Sequence, residues 1–229
     1  DYGCGPGNDL AGFATQSKPQ KLIGMDVSVS SLEEAKARLE LHHAEGELHL
    51  LDPSNEHVPL PDASVDFIHC SGVLHHIETP AHTLSEFRRI LRPNGRIQLM
   101  VYNRASLWMH LYCAYHIQIL QGRYPGEPLE EVFRKSTDGE DCPVSRAYRP
   151  DELVELARYA GLDIQLRGVA VSAYEMSLFE SRYAAIMDAR LPEESRLFLA
   201  SLQVDGRGLA MADNQRAGVD ACFAGCAAS

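Results

Sequence analysis

The residues best suited to do chemistry stand at the very start of the chain. Asp1-Tyr2-Gly3-Cys4-Gly5-Pro6-Gly7 sets three glycines in alternation behind an acid. Glycine turns the backbone sharply and carries no Cβ, so a ligand can lie directly against the main chain. Loops of this kind join a buried strand to a helix whose free N–H groups lie nearby. The sequence begins at the loop, which leads us to expect a chain without its first strand and whatever lies upstream. The neighbours of such a strand would keep unpaired backbone groups, each costing roughly 1–3 kcal/mol when buried. Residues 1–229 alone are therefore expected to fold poorly.

Further candidates recur down the chain. Asp26 closes the apolar run 21–26, Asp52 follows the run 47–51, and Ser71 follows the run 65–70. His75-His76 comes next, and imidazole is the side chain best tuned to move a proton near neutral pH. Adjacent residues on a helix point apart, so His75-His76 and His42-His43 are poor metal pairs. No acid–His spacing rescues them, and no metal is expected. Cys4 lies inside the loop, but nothing near it would activate a thiol.

The elements that must position these groups follow from periodicity. Ser30 or Ser31 caps a helix running to about His43, with Glu33 and Glu34 in its first turn. A second helix places Leu84, Phe87, Ile90 and Leu91 on one face. Pro93-Asn94-Gly95 ends it and turns into a strand at 96–102. Strands alternating with helices at this spacing predict a parallel α/β sheet covered on both faces. Ligands of such sheets bind beyond the carboxyl ends of the strands. The loop 1–7, Asp26, Asp52 and Ser71 all fall on that edge.

After Tyr102 the rhythm breaks. Residues 104–148 read as one amphipathic segment, 107–120, followed by a loop rich in Gly, Pro and acids. A helix start at Pro150 leads to Gly161, then a strand over 162–171. Helical stretches follow over 174–202, interrupted by Pro192, and the tail at 218–224 reads as a last strand.

Bulk properties narrow the partners. Lys plus Arg number 21 against 32 Asp plus Glu, a net charge of −11. That balance repels phosphate backbones and anionic lipid, and so argues against nucleic acid. The basic run at 88–92 reads as a solvated helix face. Six cysteines without a Cys-x-x-Cys pair suggest neither a disulfide scaffold nor a zinc cluster, and fit a reduced, cytoplasmic setting. No apolar run is long enough to span a bilayer.

Read in order, several segments are similar to one family. They are residues 1–7, Gly24-Met25-Asp26-Val27-Ser28, Val65-Asp66-Phe67, Ser71-Gly72-Val73-Leu74-His75-His76 and Leu91-Arg92-Pro93-Asn94-Gly95. The chain resembles a class I S-adenosylmethionine-dependent methyltransferase of the methyltransferase type 11 branch, which includes ubiquinone and menaquinone biosynthesis enzymes. The resemblance covers roughly the first hundred residues. It implies a Rossmann-like, doubly wound, mostly parallel seven-stranded sheet, here with its first strand largely missing, and helical cap insertions. Residues 1–103 would then form the cofactor-binding core. Residues 104–148 would form a helical and loop insertion over the substrate, and 149–229 the rest of the same domain with a second helical insertion.

The resemblance also assigns roles. Asp1, Gly3, Cys4, Gly5 and Gly7 would cradle S-adenosylmethionine, and Asp26 with Val27 would meet its ribose. Asp52 would lie near the adenine amino group, and Ser71 would line the pocket with main chain. Tyr102, Asn103, Trp108 and Tyr112, with Tyr115 and His116, are candidate pocket residues for a small-molecule acceptor. His76 resembles the base of some O-methyltransferases, a role needed only where the acceptor must lose a proton. The product cofactor would be S-adenosylhomocysteine. Two other readings stay open: a non-catalytic S-adenosylmethionine sensor or inactive partner subunit, and a nicotinamide-dependent oxidoreductase. The last fits less well, because Asn8 stands where Gly-x-Gly-x-x-Gly needs its final glycine.

Overall fold

Hydrogen bonds between short apolar runs build the layer that carries the site. The computed structural model describes residues 1–55 and 57–228. β1 (Ile23–Asp26) pairs in parallel with β2 (Glu47–Leu50), Asp26 standing opposite Leu50. β3 (Val65–Ser71) pairs in parallel with β4 (Leu91–Tyr102). β9 (Asp220–Ala227) runs antiparallel between β4 and β5 (Leu162–Ala170).

The expected seven-stranded sheet is instead a two-stranded and a four-stranded sheet, in the orders β1-β2 and β3-β4-β9-β5. Asp1 and Tyr2 join them. Met25 N–H donates to Asp1 O at 2.9 Å, and Tyr2 N–H donates to His69 O at 2.8 Å. These two residues act as a strand in miniature, with β1 on one side and β3 on the other. Behind them the two edges part around a cavity of about 650 Å³, walled by Ile23, Met25, Val65, Phe67, Phe87 and Ile90.

The helices follow the sequence pattern with corrections. α1 (Asn8–Gln16) starts directly after Gly7. α2 (Val29–Leu41) is capped by Ser28, whose Oγ accepts the Ser31 N–H at 3.2 Å. Ser30 and Ser31 cannot cap, since both are already helical, whereas Ser28 is extended. α3 (Pro80–Ile90) opens on proline and buries Leu84, Phe87 and Ile90. Leu91 already belongs to β4, and Pro93-Asn94-Gly95 forms an irregularity inside that strand, with its register shift opposite residues 65–67. The basic run is occupied by the chain's own acids: Arg89 pairs with Glu86 and Asp62, and Arg92 with Asp66.

Residues 104–148 hold more helix than expected. Trp108–Leu120 is a π-helix, a form usually confined to single turns. α4 (Leu129–Thr137) occupies the middle of the expected loop. Its signal is masked because only Val132 and Phe133 are buried, while Pro128 and the acids at its start read as turn chemistry. α5 (Pro150–Tyr159) precedes β5. α6 (Ala173–Leu178), α7 (Arg182–Met187) and α8 (Glu193–Ser201) follow it. A small antiparallel sheet, β6 (Gln203–Val204), β7 (Ala210–Ala212) and β8 (Gln215–Arg216), was not anticipated.

Burial divides accordingly. Ile68, Leu84, Phe87, Leu99, Val101 and Phe223 belong to the core under the four-stranded sheet. Leu107, Leu111, Leu199, Ala210 and Ala217 form a separate core among the outer helices. Among the described residues, no helix is long and apolar enough to cross a membrane.

Candidate functional site

The glycine loop is shaped by its neighbours. Gly3, Gly5 and Gly7 all have φ in the left-handed region, at +73°, +49° and +79°. A Cβ on Gly3 would stand 2.2 Å from Val73 Cγ2, and one on Gly7 would stand 2.9 Å from the Ala35 Cα. Those two positions are demanded by packing within the protein. A Cβ on Gly5 would meet nothing within 4 Å. Open space against bare main chain lies at Gly5.

Asp26 ties that loop to the end of β1. Its Oδ2 accepts the Gly5 N–H at 2.8 Å and its Oδ1 accepts the Ser28 N–H at 2.9 Å. Each carboxylate oxygen keeps a lone pair for a further donor. Arg38 Nε holds the loop from the other side by donating to Pro6 O at 2.8 Å. Val27 projects beside Asp26 as an apolar side chain 58% exposed. Asp1 Oδ2 is buried, with no hydrogen-bond partner among the described residues. Cys4 is buried, and burial raises its thiol above the ordinary range, which favours the unreactive form.

Asp52 stands past β2 and forms a local turn. Its Oδ1 accepts the Ser54 N–H at 2.8 Å and the Ser54 hydroxyl at 2.7 Å. Those bonds hold its carboxyl below the usual range. Ser71 closes β3 and leads into the loop that carries Val73 against Gly3.

A second constellation lies around the turn Leu74–His76. His75 is fully buried, its ring stacks on Tyr102 with centroids 3.8 Å apart, and its Nδ1 accepts the Tyr102 N–H at 3.3 Å. Burial holds its pKa down at about 3, so it is a neutral packing group. His76 differs. Its Nδ1 lies 2.8 Å from Val144 O, a geometry that requires a proton on Nδ1. Nε2 lies 3.8 Å from Asp138 Oδ1. Asp138 in turn accepts the Tyr102 hydroxyl at 2.9 Å and the Ser145 hydroxyl at 2.6 Å. Burial and the Asp138 bond both push the Tyr102 phenol up, so it stays a donor. Cys142 Sγ completes the group, 3.8 Å from His76 Nδ1.

The acceptor-side candidates separate into two kinds. Trp108 and Tyr112 pack together at 4.3 Å between ring centroids, and Tyr174 sits 5.9 Å from each. Trp108 Nε1 donates to Thr137 Oγ1 at 2.8 Å. Asn103 is a correction. It is buried, its amide donates to Ala105 O and Gly218 O at 2.9 Å each, and its Oδ1 accepts the Ala105 N–H. Both amide hydrogens are spent on these main-chain carbonyls, so the side chain has no donor left for a ligand. Tyr115 is buried among the outer helices, and His116 Nε2 is bonded to Ser181 Oγ at 2.7 Å.

Sequence reasoning singled out the glycine loop, Asp26, His76 and Tyr102, and the structure sets Gly5 against Asp26 and His76 near Tyr102. It did not single out Asp138 or Ser145 and gave Cys142 no role; all three lie in the stretch read as a loop rich in Gly, Pro and acids. The one usable signal was composition: an acid, a thiol and a hydroxyl become meaningful only once that loop folds back onto residues 75–77.

Comparison with known proteins bears on the same residues. Residues 1–99 match the family described as a methyltransferase domain. Over 102 residues the chain is 41% identical to an uncharacterized 37.1 kDa protein in transposon TN4556 of Streptomyces fradiae, covering 42% of this chain and 28% of that protein. Over 97 residues it is 30% identical to a demethylmenaquinone methyltransferase of Symbiobacterium thermophilum, covering 42% and 39%. The chain spans less than half the length of these curated relatives. The solved YcgJ protein of Bacillus subtilis shares the fold, with a TM-score of 0.64 at 17% identity, over 100% of this chain and 91% of that one.

Proposed function

We propose, from the premise that residues 1–99 form a class I S-adenosylmethionine-dependent methyltransferase domain, that this chain transfers the cofactor's methyl group to a small-molecule acceptor. The observation that carries the reading is the pairing of Gly5 with Asp26. Open space at Gly5 admits a ligand to the main chain, and the adjacent carboxylate has free lone pairs for two neighbouring hydroxyls. The exposed apolar Val27 beside them suits the flat face of a purine. These residues fit S-adenosylmethionine, whose bound form supplies a methyl group on a positively charged sulfur.

The remaining work falls to side chains of this chain. Asp26 orients the ribose by accepting from its hydroxyls, and Asp52 accepts from the adenine amino group. Asp1, Gly3, Cys4 and Gly7 set the loop's path, and Ser71 lines the pocket with main chain. Residues 104–148 cover the acceptor, with Tyr102, Trp108 and Tyr112 facing it and water kept out. Displacement at a sulfonium methyl has a good leaving group, so alignment of the two reactants supplies much of the acceleration. Where the acceptor is protic, His76 Nε2 takes its proton, because Nδ1–H is already engaged by Val144 O.

Calorimetric titration with S-adenosylhomocysteine and, separately, NADH tests the cofactor. Micromolar binding of the first alone supports the reading, and binding of NADH alone returns the nicotinamide alternative. Turnover against a panel of acceptors then separates an enzyme from a non-catalytic S-adenosylmethionine binder.

A further inference from the structure

We propose that His76, Asp138 and Cys142 form a divalent transition-metal site of the zinc class, lodged between the turn at residues 74–76 and the loop after α4. A ring nitrogen of His76, a carboxylate oxygen of Asp138 and the sulfur of Cys142 all lie within 4.8 Å of one another. Ligands at about 2.0–2.3 Å from a tetrahedral ion stand roughly 3.3–3.8 Å apart. His76 Nε2 and Asp138 Oδ1, at 3.8 Å, already have that spacing. One nitrogen, one oxygen and one sulfur make a three-ligand set with the fourth position open, the arrangement of catalytic rather than structural zinc.

Cys142 Sγ now lies 3.8 Å from His76 Nδ1 and donates to Val144 O at 3.3 Å, so it must turn from that carbonyl to join an ion on Nε2. The other surrounding bonds already suit a metal site. Val144 O accepts the Nδ1–H of His76, which leaves the lone pair at Nε2, on the side of Asp138. A lone pair facing a carboxylate is repulsive unless a positive charge stands between them. Tyr102 and Ser145 each donate a hydroxyl hydrogen to Asp138, one to each oxygen, which fixes the plane of the carboxylate. Outer partners of this kind orient ligands and typically change metal affinity by about 10–100-fold when removed. Asp138 and Cys142 share one loop while His76 stands more than sixty residues earlier, so the ion would also staple residues 138–142 onto the turn beside the sheet.

The site deepens the methyl-transfer reading and rests on it for its use. With an ion in place His76 would serve as a ligand instead of as the base, and a protic acceptor in the fourth position would be acidified by coordination. Its proton would leave to solvent, and the freed electron pair would form the new bond to the methyl carbon as the carbon–sulfur bond breaks, the sulfur keeping that pair as the neutral thioether of S-adenosylhomocysteine.

The test is titration of the full chain with Co²⁺, with the thiolate-to-cobalt absorption read in the near ultraviolet. The expected result is uptake of about one equivalent, reversed by Zn²⁺. Cys142→Ser should abolish the absorption band while the other five cysteines remain. His76→Gln should weaken Co²⁺ binding by at least about 10-fold, and Tyr102→Phe by about 10-fold. Near-ultraviolet circular dichroism checks that each variant is folded. A folded wild type that takes up no Co²⁺ overturns the proposal. An unchanged band in Cys142→Ser overturns it equally, since the metal then sits on other thiols. S-adenosylhomocysteine titrated into the same sample keeps the two readings separate. Its binding without Co²⁺ uptake sinks the metal site alone, and Co²⁺ uptake without its binding sinks the methyl-transfer reading alone.

Discussion

The glycine loop and the junction at residues 138–145 meet opposite sides of one turn. Gly3 packs against Val73, and three residues later His76 faces Asp138. The loop is held mainly by main chain and by one carboxylate from the next strand, so its geometry is written into a few adjacent residue types. The junction is held by side chains from β4, the turn and the loop after α4, none near another in sequence. A site built from backbone tolerates few substitutions at its glycines, whereas one built from side chains gives way one bond at a time.

The largest effect belongs to Gly7→Ala. Its φ of +79° disfavours a side chain, and the added Cβ would press on the backbone of α2 at Ala35. Strain and overpacking together should cost roughly 2–5 kcal/mol of stability. Gly5→Ala carries only the conformational cost, about 1–2 kcal/mol, but places a methyl group in the space meant for the ligand. Urea unfolding and S-adenosylhomocysteine titration should therefore rank the two variants in opposite orders. Equal ranking would mean that Gly5 serves packing too.

Next comes the outer core. His110 is buried beside Phe198 and bonded to Ser195, with Arg104, Glu194 and Arg149 as its charged surroundings. Burial lowers its pKa from 6.5 to about 4. The unfolded chain binds this proton more readily than the folded one. The stabilising contribution is thus complete above about pH 6.5 and is lost as the pH falls toward 4. The full loss is about 3 kcal/mol. His110→Gln should flatten that part of the urea-midpoint profile while the rest of the profile stays. Identical profiles would show that acid unfolding begins in the sheet core.

Asp26→Asn is the direct probe of the loop. It keeps an acceptor for one backbone N–H and loses the charge that should hold the ribose. A charged hydrogen bond contributes about 1.5–3 kcal/mol, so S-adenosylhomocysteine affinity should fall roughly 10–100-fold with the thermal midpoint little changed. Unchanged affinity removes Asp26 from the binding site.

How much could be read in advance follows the same division. The strands at 23–26, 65–71 and 162–170, the helix face of Leu84, Phe87 and Ile90, and the loop with Asp26 were legible because period and spacing are local. The cap of α2 was misplaced by two or three residues because all the serines at 28, 30 and 31 have the right chemistry, and only Ser28 has the extended backbone. α4 was hidden by a Pro and acids that serve equally well as loop residues. Asn103 looked like a pocket residue because its place after β4 was visible and its three backbone bonds were not. Asp138 and Cys142 depend on a fold-back that no periodicity announces.

The smallest expected effect concerns Asp52, where loop-like and site-like roles compete within one residue. Its Oδ1 is engaged twice by Ser54, which leaves Oδ2 as the oxygen for the adenine amino group. The side chain is exposed, so one more hydrogen bond there, made in competition with water, adds only a little affinity. Asp52→Ala should therefore weaken S-adenosylhomocysteine binding roughly 5-fold. S-inosylhomocysteine, which lacks that amino group, should bind wild type and variant alike. If both ligands lose the same affinity in the variant, Asp52 acts only by shaping the turn after β2. If only the amino-bearing ligand loses affinity, the carboxylate reads the base directly, and the cofactor edge extends from Gly5 to Asp52.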